Sequence, residues 1–132
     1  MSADNVELIR RGYEAYARRD FAAVFALLHP EVEIYQTASL PWGGTYRGQE
    51  QAREFFRRLS EQTEGGPEPS EFIAAGDDVV ATGRLRGRVR ANGRPFDLAI
   101  AHLWTVREGK IVRFAAYIDT PAMLSALGGD GV

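Results

Sequence analysis

Apolar residues recur at three- and four-residue spacings through the first half of the chain and at alternate positions through the second, which predicts helices followed by strands. From Asp4 to Ala17, Val6, Ile9, Tyr13 and Tyr16 share one helical face, with Leu8, Gly12 and Ala15 beside them. Asp20 is placed to cap a short second helix, in which Phe21, Val24, Phe25 and Leu28 repeat until His29-Pro30 stops it. Val32 to Gln36 reads as a strand, and Leu40-Pro41-Trp42-Gly43-Gly44-Thr45 as a loop. A third helix runs from Gly48 to Ser60, burying Ala52, Phe55, Phe56 and Leu59 and exposing Arg53, Glu54, Arg57 and Arg58.

After Gly65-Gly66-Pro67 the period becomes two. Turn signals at Gly76-Asp77-Asp78, Asn92-Gly93 and Glu108-Gly109 divide this half into strands at about 71–75, 79–90, 95–106 and 111–119. Thr120 as cap, Pro121 at the first helical position and Met123, Leu124 and Leu127 then predict a terminal helical turn or two, ending at Gly128-Gly129.

If Asn92-Gly93 and Glu108-Gly109 are the centres of two-residue hairpin turns, Ala91 faces Arg94 and Arg107 faces Lys110. Counting back places His102 opposite Gly83 and Ala115, Trp104 opposite Ala81 and Arg113, and Ile100 opposite Leu85 and Tyr117. One face then carries Leu85, Ile100, His102, Trp104, Arg113, Tyr117 and Asp119, a mixture of aromatic, ionisable and small residues suited to a pocket wall. The other carries Ala101, Leu103, Val112, Phe114, Ala116 and Ile118, a patch apolar enough to predict a homodimer through the outer sheet face. Arg84, Arg86, Arg88 and Arg90 form a basic stripe, with Asp97 opposite Arg88, that reads as a solvated face. A bulge at Glu108-Gly109 would exchange the two faces.

The order of helix, helix, strand, helix and four strands, the segment Pro41-Trp42-Gly43-Gly44-Thr45-Tyr46-Arg47-Gly48 leading into Phe55-Phe56, and the run from Glu108-Gly109-Lys110-Ile111 to Tyr117-Ile118-Asp119 occur together. In these the chain resembles the nuclear transport factor 2-like superfamily, in its SnoaL-like polyketide cyclase and ketosteroid isomerase-related branch. The resemblance covers nearly the whole chain. It implies an α+β, cone-shaped (cystatin-like) fold, in which a strongly curved mixed or antiparallel sheet wraps three N-terminal helices around a pocket, commonly in a dimer.

Carried over by residue, the resemblance puts Gln36 where the isomerases hold their general-base aspartate, and Ala101, beside His102, where they hold an oxyanion-stabilising acid. Glutamine cannot abstract a proton, so isomerisation by that machinery is not expected. The SnoaL-like cyclases keep an acid/base aspartate near the end of the last strand, where Asp119 stands. On this reading Asp119 is the general acid/base, His102 polarises the substrate or relays a proton, and Tyr117 donates to the developing oxyanion. The bland alternative makes Asp119 a helix cap and His102 a satisfied core histidine. Trp42, Trp104, Gln36, Tyr13, Phe55 and Arg113 are the candidate ligand contacts, with Trp42 a possible lid because it has no helical or strand face to belong to.

Composition narrows the chemistry further. The 132 residues suit one domain, 1–132, with no linker, and 45% hydrophobic against 26% charged residues is an ordinary globular balance. The absence of cysteine excludes thiolate chemistry and disulfides. No two histidines share ligand spacing and no phosphate-binding glycine motif occurs, so neither metal nor cofactor is expected. A net charge of −2 argues against a nucleic-acid partner. The polar N-terminus lacks the core of a signal peptide and no run is long enough to cross a bilayer, so a cytoplasmic protein without a membrane partner is expected. The expected function is to hold a small hydrophobic, carbonyl-bearing metabolite. Two uses remain open: cofactor-independent acid/base catalysis of the isomerase, cyclase or dehydratase type, or non-catalytic binding or association on the same fold.

Overall fold

The structure, a computed structural model, describes residues 2–128. Gly129, half of the expected terminal stop, lies outside them. Two helices, α1 (Ser2–Ala17) and α2 (Phe21–Ala26), precede strands β1 (Leu28–Gln36) and β2 (Gly44–Arg47). Helix α3 (Gly48–Gln62) leads into strands β3 (Thr63–Ala75), β4 (Asp78–Val89), β5 (Pro95–Arg107) and β6 (Lys110–Ile118), and α4 (Thr120–Ala126) follows. The strands form one open sheet in the order β2-β1-β6-β5-β4-β3. Only β1 and β6 run parallel, so the sheet is mixed. It is not the strongly curled sheet expected. Helix α1 packs over β3 and β4, and α3 over β1 and β2, and the core lies between helices and sheet. Among the described residues no helix is long and apolar enough to cross a membrane.

Local chemistry explains where the elements begin and end. Asp20 caps α2 by accepting the Ala23 amide at 3.2 Å. The helix stops at Ala26, two residues before the expected end, because the sheet captures the chain: the Ile111 amide donates to the Leu27 carbonyl at 2.8 Å, and Leu28 pairs with Ile111. His29 and Pro30 therefore sit in a strand, where the His29 ring accepts the Glu31 amide at 3.0 Å.

Strand β2, read as part of a loop, pairs with β1 from Glu33–Arg47 to Gln36–Gly44. Strand β3 begins eight residues before the expected start, running straight through Gly65-Gly66-Pro67. Its glycines answer to crowding, for a Cβ on Gly65 would stand 2.2 Å from the Arg86 carbonyl oxygen and one on Gly66 3.3 Å from the Tyr16 ring. Its prolines are tolerated because β3 is an edge strand.

Both predicted registers shift, with different consequences. Arg90 leaves the β4–β5 ladder: its amide donates to the Gln62 carbonyl and its guanidinium to the Ser60 carbonyl, at 2.9 and 2.6 Å. The ladder therefore closes at Arg88–Pro95, and His102 meets Ala81 rather than Gly83. A two-residue slip preserves the faces. Asp97 now pairs with Arg84 and Arg86, and Glu68 with Arg86, so charges of both signs cover this end of the outer face.

The β5–β6 turn forms as predicted, with Glu108 and Gly109 at φ 52° and 75°, and Arg107 faces Lys110. Val106 then pairs with Ile111 but Thr105 with Arg113, so Val112 is an extra residue in β6. Beyond it His102 faces Ala116 rather than Ala115, Trp104 faces Phe114, and Ile100 faces Ile118. A one-residue slip exchanges the faces of β6.

Candidate functional site

Between the helices and the inner face of the sheet lies a cavity of about 90 Å³. Tyr13 and Tyr16 from α1, Phe55 and Phe56 from α3, and Gly65, Gly66 and Pro67 from β3 form one side. Gln36, His102, Trp104, Phe114, Ala116 and Ile118 form the sheet side, with Trp42 arriving from the loop before β2. The wall is mostly apolar, so each polar atom on it matters.

Two such groups are buried, His102 at 6% exposure and Gln36 at 4%. The Tyr13 hydroxyl lies 2.7 Å from His102 Nδ1 and 2.9 Å from the indole Nε1 of Trp104. His102 and Trp104 are two apart on β5 and so share its inner face, where one tyrosine hydroxyl from α1 meets both. The Tyr13 and His102 rings are nearly parallel at 5.9 Å, and the Phe114 and imidazole rings stand nearly perpendicular at 5.0 Å. Enclosure pushes the His102 pKa down to about 3, which leaves the ring neutral near pH 7. Burial raises the pKa of Tyr13 and of Tyr16.

On the opposite flank the Trp42 indole N–H donates to Gln36 Oε1 at 2.8 Å. The Tyr46 hydroxyl donates to the Trp42 carbonyl at 2.9 Å, and Trp42 is 1% exposed. It is therefore a fixed wall residue and not the lid expected from its glycine-rich surroundings. Among the described residues neither His102 Nε2 nor Gln36 Nε2 has a protein partner, yet neither is a sealed, unsatisfied atom. Both side chains line the cavity. Tyr35 pairs with Ala115 and His102 with Ala116, so Gln36, Ala116 and His102 lie nearly abreast on β1, β6 and β5. The small Ala116 separates the two polar side chains.

Of the nine candidate site residues, six line this cavity: His102, Trp42, Trp104, Gln36, Tyr13 and Phe55. Tyr117, Asp119 and Arg113 do not. The Val112 bulge turns Tyr117 to the outer face, where it is 49% exposed and its ring lies 6.3 Å from that of Tyr35. Arg113 turns out beside it and binds Glu33 at 3.1 Å. Exposed Asp119 caps α4, accepting the Ala122 amide at 3.2 Å, which is the bland alternative for this residue, and Thr120, also expected as a cap, is the first residue of the helix. The predicted grouping of Asp119, His102 and Tyr117 is thus not formed. In their place Phe114, Ala116 and Ile118 face inward. Their apolarity was the available signal, and it pointed to the cavity rather than to the dimer patch to which they were assigned.

Among the described residues no three histidine, aspartate or glutamate side chains gather as they would around a metal ion. The site is a neutral, aromatic-walled cavity with two polar side chains reaching into it. A helix-covered mixed sheet holding such a cavity defines a class of pocket proteins, and comparison narrows the class. A model of the SnoaL-like domain matches residues 9–114, and the chain belongs to that family. An NTF2-like protein of unknown function from Burkholderia pseudomallei is 32% identical, with a TM-score of 0.88 over 96% of this chain and 98% of its own. An NTF2-like protein from Burkholderia thailandensis is 34% identical, with a TM-score of 0.86 over 93% and 96%. TerC, co-crystallized with polyporic acid, is 28% identical, with a TM-score of 0.84 over 95% and 98%. No curated protein matches the chain.

Proposed function

We propose that this chain binds an apolar metabolite whose oxygen atoms accept hydrogen bonds from His102 and Gln36. The observation that carries the reading is that the cavity offers two uncommitted polar nitrogens and no side chain able to take a proton near neutral pH. His102 is neutral with Nδ1 occupied by Tyr13, and the phenol pKa values of Tyr13 and Tyr16 are raised. For a carbonyl-bearing ligand these groups would stabilise negative charge developing on oxygen, while the proton would leave to solvent or to another part of the ligand. The relative crystallized with polyporic acid supports the same class of ligand for this chain.

Calorimetric titration with polyporic acid tests the reading. His102→Phe and Gln36→Leu are each expected to weaken binding about tenfold, the equivalent of one hydrogen bond at ~1.4 kcal/mol. Asp119→Asn and Tyr117→Phe should bind as the parent does. Loss of turnover on a carbonyl substrate in Asp119→Asn, with binding intact, would restore the acid/base reading.

A homodimer through the outer sheet face is proposed on a smaller surface than the sequence suggested. With Phe114, Ala116 and Ile118 turned inward, Tyr117 paired with Tyr35 remains as its exposed aromatic element. Sedimentation velocity at micromolar concentration tests it, and a monomer would reject it.

A further inference from the structure

We propose that Tyr13 and Trp104 are positioning residues that hold His102 in its Nε2–H form, so that the cavity selects ligands presenting an acceptor and disfavours those presenting a donor. The inference rests on the reading of the cavity as a ligand site. Its premise is the direction in which each hydrogen bond must run.

An indole N–H can only donate, so the 2.9 Å contact from Trp104 Nε1 makes the Tyr13 oxygen an acceptor. The hydroxyl proton of Tyr13 is then free for a second partner, and His102 Nδ1 lies 2.7 Å away. A neutral imidazole that accepts at Nδ1 carries its proton on Nε2. The opposite arrangement would make the Tyr13 oxygen accept twice and leave its own proton without a partner inside a buried cluster, which is costly. The chain of donors therefore runs from Trp104 through Tyr13 to His102 and ends at the cavity. Trp42 imposes the same polarity on Gln36: with Oε1 accepting the indole N–H, the amide turns its NH₂ inward. Both polar groups of the cavity owe their orientation to a tryptophan that can only donate.

Two measurements on the whole protein decide the matter. Nitrogen-15 NMR of histidine-labelled protein reads the tautomer directly, and His102 is expected as a single Nε2–H form. In Tyr13→Phe the Nδ1 partner is gone, and the signals should move toward an average of the two tautomers. Trp104→Phe keeps the tyrosine but returns a lone pair to its oxygen, and should move them the same way. The second measurement is the affinity for 1-indanone, whose carbonyl accepts, against indole, whose N–H donates, two bicycles of similar size. The parent should prefer indanone by about tenfold, and Tyr13→Phe should bring the two within about threefold. A proton on Nδ1 in the parent, or an unchanged tautomer and preference in Tyr13→Phe, overturns the proposal. Failure of both bicycles to bind the parent would instead reject the cavity reading and with it the claim of selection.

Discussion

Arg113 Nε lies 3.1 Å from Glu33 Oε2 across the parallel boundary between β6 and β1, on the face of the sheet turned away from His102. Arg47 reaches the other carboxylate oxygen of Glu33 at 3.2 Å. The hydrogen bond from Arg113, and then the two positive charges, hold Glu33 below the usual carboxylate range. Arg113→Ala should therefore leave ligand affinity within twofold of the parent. Its cost in stability should stay under about 1 kcal/mol near pH 7, since the pair is largely solvated. Because the Glu33 pKa is depressed, that contribution is present at neutral pH and is lost on acidification through the folded-state value. Denaturant melts at pH 7 and pH 3 check both statements.

Asp119→Ala should lower stability by about 1 kcal/mol through loss of the α4 cap, and leave binding unchanged. A thermal melt beside a titration of the same variant separates capping from chemistry. A loss of binding without a loss of stability would contradict the cap.

His102 provides the pH signature. With a folded pKa of about 3 against a reference of 6.5, the unfolded chain takes up a proton that the folded chain refuses. Stability is then unaffected above pH 6.5 and falls as the pH drops from there toward 3. Between pH 6.5 and 5 the loss should be about 2 kcal/mol, at 1.36 kcal/mol per pH unit. His102→Gln, which can still accept from Tyr13, should lose this slope. Urea melts at half-unit intervals would show it.

Gly65 and Gly87 face one another across β3 and β4, and a Cβ on Gly87 would lie 1.9 Å from the Glu64 carbonyl oxygen. Gly87→Ala should therefore force the two strands apart where β3 lines the cavity. A destabilisation of about 3 kcal/mol or more, with weakened ligand binding, is expected in chemical denaturation and titration.

How far the sequence was readable depended on whether the deciding contact was local. The faces of α1 and α3 were legible because a 3.6-residue period is written in neighbouring side chains, and Tyr13 and Phe55, both candidates from that period, line the cavity. The turn at Glu108-Gly109 was legible from its dipeptide. The start of β3 was not, because Gly65-Gly66-Pro67 carries turn residues for a reason set by Arg86 and Tyr16, far away in the chain. Strand β2 and the departure of Arg90 from its ladder likewise depend on remote partners. His102 and Gln36 were found as candidates, but which of their atoms remained uncommitted depended on Tyr13 and Trp42 in three dimensions. Asp119 and Tyr117 were misplaced by one residue of register.

That residue is Val112, and its influence is on register rather than on chemistry. Were Val112 drawn into the ladder opposite Thr105, the count from Arg107–Lys110 would run unbroken and carry Arg113 and Tyr117 into the interior, with Phe114, Ala116 and Ile118 sent out to water. A neutral cavity would become an ionisable one with no side chain replaced. Relatives whose last hairpin has the same length but no bulge should thus differ in the chemistry they can perform even where the residues of the strand are the same.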